Sequence, residues 1–109
     1  MYISITGIKV KDFFGMLKFM RYTLPSFISA TKANGNLFCD SKKINKYHHT
    51  LTAWENRNKM MDYLKGKHHS SAMKNFRSIG TGSVYGYEDK IILTWEDAIK
   101  KWKENFKEI

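Results

Sequence analysis

Hydrophobic and polar residues alternate at the start of this chain. "YISITGIKV" places Ile3 and Ile5 on one side of a strand and Ser4 and Thr6 on the other. This period of two is typical of a strand with one buried face. A second alternating stretch, "YHHTLTAW", covers residues 47–54. Both stretches are therefore predicted to be strands.

The period changes in "KDFFGMLKFMRYTL", where Phe13, Leu17 and Met20 recur at i, i+4 and i+7. This spacing predicts an amphipathic helix, with Asp12 as its N-cap. Pro25 is the only proline of the chain. Because proline suits a first helical turn and breaks a helix interior, we expect it to end this helix or to begin a second piece, "PSFISATKA".

The middle of the chain contains turn signals between periodic segments. "NGN" at 34–36 predicts a turn, and "LFCDSKKINKYHHTLTAW" predicts two strands joined by a charged turn near Ser41 to Asn45. "ENRNKMMDYLKGK" is a predicted helix with Asn56 as its cap and Gly66 as its end. "HHSSAMKNFR" is a second short helix.

The last third of the chain supplies one strand and one helix. "IGTGSVYGYE" predicts a glycine-rich turn that leads into a fourth strand. Residues 94–108 form a predicted helix, with Thr94 and Asp97 spaced as in a capping box. Its apolar stripe consists of Trp95, Ala98, Ile99, Trp102 and Phe106.

The predicted order β–α–β–β–α–β–α indicates the α+β class: a ferredoxin-like split βαβ fold with an antiparallel sheet and an added C-terminal helix. We expect one domain over residues 1–109, with a core at 1–88 and the added helix at 94–108. The helices can cover one face of the sheet. We expect the other face to be covered by a second copy, in a symmetric homodimer with two sheets packed face to face.

Composition narrows the class of protein. The chain is 42% hydrophobic and has one cysteine, Cys39, so an internal disulfide framework is excluded. No apolar stretch approaches the ~20 residues of a membrane span, so no membrane partner is predicted. We expect a soluble, cytoplasmic protein.

The net charge of +9 raises nucleic acid as a partner. Only three of the nineteen basic residues are arginines, although bidentate phosphate and base contacts favour arginine. A scattered surface dominated by lysine indicates a solvated exterior, so nucleic-acid binding is not the predicted function.

Residues 49–77, "HTLTAWENRNKMMDYLKGKHHSSAMKNFR", resemble the antibiotic-biosynthesis-monooxygenase-like superfamily, the dimeric α+β barrels. The likeness consists of a strand ending in Trp, a polar helix start, an aromatic-containing helix, a break at small residues and a second helix that carries His. The segment Leu24–Pro25 followed by Phe27 also resembles the first-helix region of some members. The resemblance implies a dimeric α+β barrel. It also implies an activity among cofactor-independent quinol-forming monooxygenases, haem-degrading oxygenases or related proteins.

The haem-degrading branch fits the chain poorly. Its members carry a tryptophan in the helix after the strand Trp, and an iron-ligating histidine one short helix later. Counted from Trp54, these positions fall on Tyr63 and Met73. The asparagine that those enzymes have on the first strand is replaced by "SITG". Haem degradation is therefore not predicted, and no cofactor is expected.

The four histidines form two adjacent pairs. On a strand, His48 and His49 face opposite sides, so they cannot hold the same metal ion. On a helix, His68 and His69 are about 100° apart, which is also unsuitable for chelation. No metal site is predicted.

A histidine base is the remaining chemical role, because its pKa near neutrality suits proton removal from a phenol or quinol. We predict His69 or His49 as the base of a cofactor-independent monooxygenase for a small aromatic molecule. The pocket would lie between helices and sheet. The predicted substrate contacts are Phe27, Trp54, Tyr63, Met73, Phe76 and, for an acidic ligand, Arg77. The alternative is a non-catalytic ligand-binding or interaction module in which these residues are core.

Overall fold

The computed structural model describes all of residues 1–109. Its strands are β1 (Tyr2–Val10), β2 (Asn36–Ile44), β3 (Tyr47–Trp54), β4 (Gly80–Glu88) and β5 (Lys107–Glu108). Its α-helices are α1 (Phe13–Lys18), α2 (Leu24–Thr31), α3 (Arg57–Leu64), α4 (Lys67–Lys74), α5 (Phe76–Ile79) and α6 (Trp95–Asn105). A π-helical segment, Phe19–Thr23, joins α1 to α2.

The five strands form one antiparallel sheet in the order β2-β3-β1-β4-β5. The first four strands have the order of a ferredoxin-like split βαβ fold, so the predicted fold class is confirmed. The short fifth strand was not predicted. It pairs with the middle of β4, where Ser83 lies opposite Glu108 and Val84 opposite Lys107.

Two predicted boundaries were wrong. The charged segment expected to be a turn continues β2 as far as Ile44, and the turn itself is Asn45 and Lys46. An edge strand can carry lysines because one of its sides meets solvent, and Asn45 tolerates the positive φ of 56° that the tight turn needs. The final helix ends at Asn105 rather than at residue 108, because the next residues pair with β4.

The first helical region continues through Pro25. Asp12 caps α1 as predicted, since its carboxylate accepts a hydrogen bond of 2.7 Å from the Gly15 amide. Pro25 lies in the first turn of α2 and has no N–H to donate. The backbone accommodates it with the π-helical segment, in which the Leu24 amide bonds to the Phe19 carbonyl.

The core lies between the sheet and α6. Ile3 and Ile5 of β1 pair in register with Ala53 and Leu51 of β3. These four side chains pack with Ala98 and Trp102 of α6 and are almost fully buried. Gly7 makes room for this packing, because a Cβ there would lie 2.5 Å from the Trp102 ring. This face is therefore covered by the chain itself.

That coverage corrects one expectation. We expected one sheet face to be left for a second copy, whereas α1–α5 lie on one face and α6 covers the other. The homodimer stays a prediction, and a single-chain mass in light scattering would contradict it. None of the helices has the length and hydrophobicity of a membrane span.

Candidate functional site

A cavity of about 140 Å³ lies between the sheet and the helices on the face opposite α6. Its floor is formed by polar side chains of β1 and β3, and its walls are mostly apolar side chains of α2–α5. The floor residues are Ser4, Thr6, Thr50 and Thr52. Mostly apolar walls with a few polar groups are typical of small-molecule sites.

The polar floor follows directly from the strand register. Ser4 lies opposite Thr52 and Thr6 opposite Thr50, so all four side chains share one face. The hydroxyls of Thr6 and Thr50 are hydrogen-bonded to each other. Thr52 accepts a 3.1 Å hydrogen bond from the Trp54 indole. The floor thus presents hydroxyl groups to a ligand and holds the Trp54 ring in place.

Aromatic rings form one wall of the cavity. Trp54 and Tyr63 are stacked with ring centroids 5.3 Å apart, and the Tyr63 ring meets His69 edge to face at 5.4 Å. The Tyr63 hydroxyl donates to the Ser26 carbonyl at 2.6 Å, so the Ser26 hydroxyl, 2.7 Å away, donates to Tyr63. Burial raises the pKa of Tyr63. The phenol is therefore neutral at physiological pH, and its proton is engaged within the wall.

His69 is the basic group of the cavity. Its Nδ1 lies 3.2 Å from the Leu64 carbonyl oxygen, which can only accept a hydrogen bond, so Nδ1 carries the proton. Nε2 then has a free lone pair. Burial lowers the pKa of His69 below its usual range, which keeps the ring neutral at pH 7. The arrangement can accept a proton from a bound ligand.

The structure brings most of the predicted contacts together. Phe27, Trp54, Tyr63, His69, Met73 and Phe76 all line the cavity. Met73 is 42% exposed, whereas Phe76 is buried. These positions agree with the predicted pocket, and the roles of the residues stay predictions.

Two predicted residues lie elsewhere. His49 is 2% exposed and faces α6, with its ring 4.8 Å from that of Trp102 and its Nδ1 donating to the Thr6 carbonyl at 2.9 Å. Arg77 is exposed on α5 and does not line the cavity. Neither residue could contact a molecule in the cavity without rearrangement.

The other two histidines are also separate from the cavity. His48 packs against Phe19 with ring centroids 4.5 Å apart, and His68 is exposed. No group of three or more His, Cys, Asp or Glu side chains is arranged to hold a metal ion.

The sequence analysis missed the polar part of the cavity. Ser4, Thr6, Thr50, Thr52 and Ser26 line it but were not named as contacts. The alternating pattern already placed Thr50 and Thr52 on the strand face of Trp54. That shared face was the signal that could have identified them.

No protein-family model and no curated protein matches the chain. Solved structures do match. A candidate antibiotic biosynthesis monooxygenase from Nitrosomonas europaea superimposes with a TM-score of 0.71 at 14% identity, over 84% of this chain and 100% of that one. A second candidate monooxygenase, from Deinococcus radiodurans, gives a TM-score of 0.72 at 12% identity, over 86% and 97% of the two chains.

SnoaB from Streptomyces nogalater, a cofactor-independent oxygenase, is a third match. It has a TM-score of 0.67 at 8% identity, over 84% of this chain and 95% of SnoaB. At such identities the likeness shows the fold, and it agrees with the fold that the sequence resemblance implied.

Proposed function

We propose that the chain is a cofactor-independent monooxygenase that acts on a small phenol or quinol with a single aromatic ring. The observation that carries the proposal is His69, which lines a mostly apolar cavity beside the Trp54–Tyr63 stack and whose Nδ1 bond to the Leu64 carbonyl leaves Nε2 as the basic nitrogen. The fold is shared with SnoaB, a cofactor-independent oxygenase.

The cavity volume limits the substrate. About 140 Å³ is close to the ~150 Å³ cavity that binds benzene in another protein, and it is below the ~300–1,000 Å³ of typical ligand pockets. A single substituted ring therefore fits with modest rearrangement at the exposed Met73. A fused polycyclic quinol does not fit without a larger opening.

The proposed reaction starts with proton transfer from the substrate hydroxyl to Nε2 of His69. The electron-rich phenolate then reacts with O₂ at the ring carbon para to its oxygen, and a C–O bond forms. This carbon must carry a hydrogen: its loss as a proton, with cleavage of the O–O bond, gives a para-quinone, and the departing oxygen takes up that proton together with the one held on Nε2 of His69 and leaves as water. One oxygen atom enters the ring, the other leaves as water, and the substrate is oxidised by four electrons.

Acidity further restricts the substrate class. A simple phenol has a pKa of about 10, against about 6.5 for an ordinary histidine, so full proton transfer is uphill by about 5 kcal/mol. The lowered pKa of His69 makes the transfer harder still. We therefore expect phenols or quinols acidified by a ring carbonyl or another electron-withdrawing group.

A non-catalytic ligand-binding module is the second candidate. The small cavity volume favours it, and so does the small number of titratable side chains in the lining, which are those of His69 and Tyr63. Tyr63 already donates its proton within the wall. In this case the cavity would bind a small aromatic molecule without reaction.

Oxygen uptake by the folded chain, measured with a panel of single-ring phenols and quinols, tests the proposal. We expect uptake with the acidified members, and a rate lower by roughly 10²–10⁴ in His69→Gln. His68→Gln is the matched control, since this exposed neighbour should leave the rate unchanged.

The two candidates give different results in the same experiment. Binding of a panel member without oxygen uptake or product would support the ligand-binding module and contradict the monooxygenase. Uptake that survives in His69→Gln would remove His69 as the base.

A further inference from the structure

An apolar row runs along the outside of the first helical region, from α1 through the π-helical segment to α2. Its members are Phe13, Phe14, Leu17, Met20, Leu24 and Ile28. Phe13 and Phe14 are 70% and 72% exposed, and the other four are between 40% and 55% exposed. We call these six side chains the outer apolar row.

The row arises because this region packs on the protein through small residues. Gly15, Ser26 and Ala30 are buried, together with Phe19. A Cβ at position 15 would lie 2.5 Å from the Ile79 carbonyl oxygen, so the helix approaches its neighbour closely there. From Phe14 onward the large side chains recur at spacings of three and four residues, and all six, including the adjacent Phe13, are exposed on the opposite side.

A continuous row of this kind differs from ordinary surface exposure. Single exposed leucines are common in soluble proteins, but contiguous apolar patches mark contact surfaces. Phenylalanine is costly to leave in water, because each ring represents a large apolar area. The row therefore indicates a surface that meets an apolar phase or partner.

Positive charge surrounds the row. Exposed Lys11, Lys18, Arg21 and Lys32 lie on the same helical region or within two residues of its ends. No acidic residue occurs between positions 13 and 31. The carboxylate just before this span, that of Asp12, is occupied as the helix cap. The surface is thus both apolar and basic.

We propose that the outer apolar row docks the protein on an anionic lipid surface. The large side chains enter the boundary between headgroups and acyl chains, and the flanking lysines and arginine meet lipid phosphates. The helix then lies along the bilayer surface without crossing it, in agreement with the absence of a spanning helix.

A second copy of the chain is the competing occupant, and the charges disfavour it. Two copies joined through this row would each bring the same lysines and arginine to the contact, and each chain has a net charge of +9. Like charges brought together at an interface weaken association. An anionic bilayer instead complements both the apolar and the basic part of the surface.

Sedimentation of the full chain with lipid vesicles tests the proposal. We expect binding to vesicles of phosphatidylcholine mixed with phosphatidylserine at low salt. Binding to phosphatidylcholine alone should be weaker, and added salt should reduce the difference. The double variant Phe13→Ser/Phe14→Ser should bind the mixed vesicles at least about tenfold more weakly.

Leu37→Ser/Ile91→Ser is the matched control, since these two exposed apolar side chains lie outside the row. It should bind as the unchanged chain does. For charge, Lys18→Ser/Arg21→Ser should weaken binding to the mixed vesicles more than Lys90→Ser/Lys100→Ser does. Both pairs remove two exposed positive charges.

Three results would overturn the proposal. The first is no sedimentation with the mixed vesicles at low salt. The second is binding by the Phe13/Phe14 variant that equals binding by its Leu37/Ile91 control, which would mean that the outer apolar row is not the contact surface. The third is an absence of vesicle binding together with a solution mass that falls from two chains to one in the Phe13/Phe14 variant. That result would identify a second copy as the occupant.

Discussion

The two faces of the sheet are built from alternate residues of the same strands, yet one face packs as a core and the other lines a cavity. On the α6 face, Ile3 and Leu51 are almost completely buried under Trp102. On the other face, Thr6 and Thr50 form the floor of a cavity. Neighbouring residues along one strand therefore belong either to a close-packed core or to a candidate site.

The two faces accommodate different kinds of side chain: mostly apolar ones under α6 and hydroxyl-bearing ones on the cavity floor. Directly under α6, close packing fills the space between helix and sheet with Ile3, Ile5, Leu51 and Ala53 of the strands and with Ala98 and Trp102 of α6. On the cavity face the Thr6 and Thr50 hydroxyls bond to each other across the two strands, and the Thr52 hydroxyl donates to the Ser4 carbonyl at 3.5 Å, so the polar floor does not need a ligand to be stable. A site can thus be kept on one face without weakening the other.

Truncation of Trp102, on the α6 face, should cause the largest loss of stability. Trp102→Ala removes the indole that covers β1 and β3, and also its 3.2 Å hydrogen bond to the Ser83 carbonyl. We expect a loss of about 3–5 kcal/mol in the free energy of unfolding, measured by urea denaturation.

The matched truncation on the cavity face is Met73→Ala. Because Met73 is 42% exposed beside a cavity that is already present, we expect a loss below about 1.5 kcal/mol. Equal losses in the two variants would show that the faces do not differ in packing as described.

Much of the fold could be predicted from hydrophobic patterns. The alternation in β1 and β3 correctly separated Ile3 and Leu51 from Thr50 and Trp54, because period two is a geometric property of a strand. The end of β2 could not be placed, since its charged residues look like a turn until the edge position of the strand is known.

The first helix shows the limit of the same method. The stripe that contains Phe13 and Leu17 was recognised, but it faces outward. An apolar stripe usually indicates the buried side, but here small residues such as Gly15 and Ala30 make the close contact. Which side is buried depends on tertiary packing, which the pattern of one helix does not contain.

For the candidate site, the sequence identified residues that line the cavity, whereas the structure was needed to define their hydrogen-bond partners and tautomers. His69 and Trp54 were identified from the resemblance and from the face of a strand. The tautomer of His69 depends on the position of the Leu64 carbonyl, five residues earlier, at a helix break. Geometry of that kind is set by the packing of α3 and α4 and cannot be derived from spacing alone.

A smaller loss of stability is expected when one hydroxyl of the Thr6–Thr50 pair on the cavity floor is removed. Thr50→Val leaves the Thr6 hydroxyl without its partner, so we expect a loss of about 1–2 kcal/mol in the free energy of unfolding. The double variant Thr6→Val/Thr50→Val removes both groups and should be closer to the unchanged chain. A negligible cost for the single variant would show that water replaces the missing partner, and hence that the cavity is wet.

The smallest effect is the pH dependence of stability contributed by His69. Burial lowers its pKa in the folded state, so the unfolded chain binds more protons as the pH falls below the ordinary value of about 6.5. The stabilisation is therefore present above that value and is lost as the pH falls through it. For one histidine the loss between about pH 7.5 and pH 5.5 is at most about 1.4 kcal/mol.

The contributions of the two faces to the pH dependence of stability can be distinguished by measuring histidine variants. The pKa of His49 on the α6 face is also lowered, chiefly by burial, so it contributes with the same sign. Urea denaturation at both pH values should show a smaller pH dependence in His69→Gln, whereas His68→Gln should keep the full dependence. If His69→Gln leaves the dependence unchanged, the acid sensitivity belongs to histidines outside the cavity, and the ring of His69 is not held neutral by its surroundings.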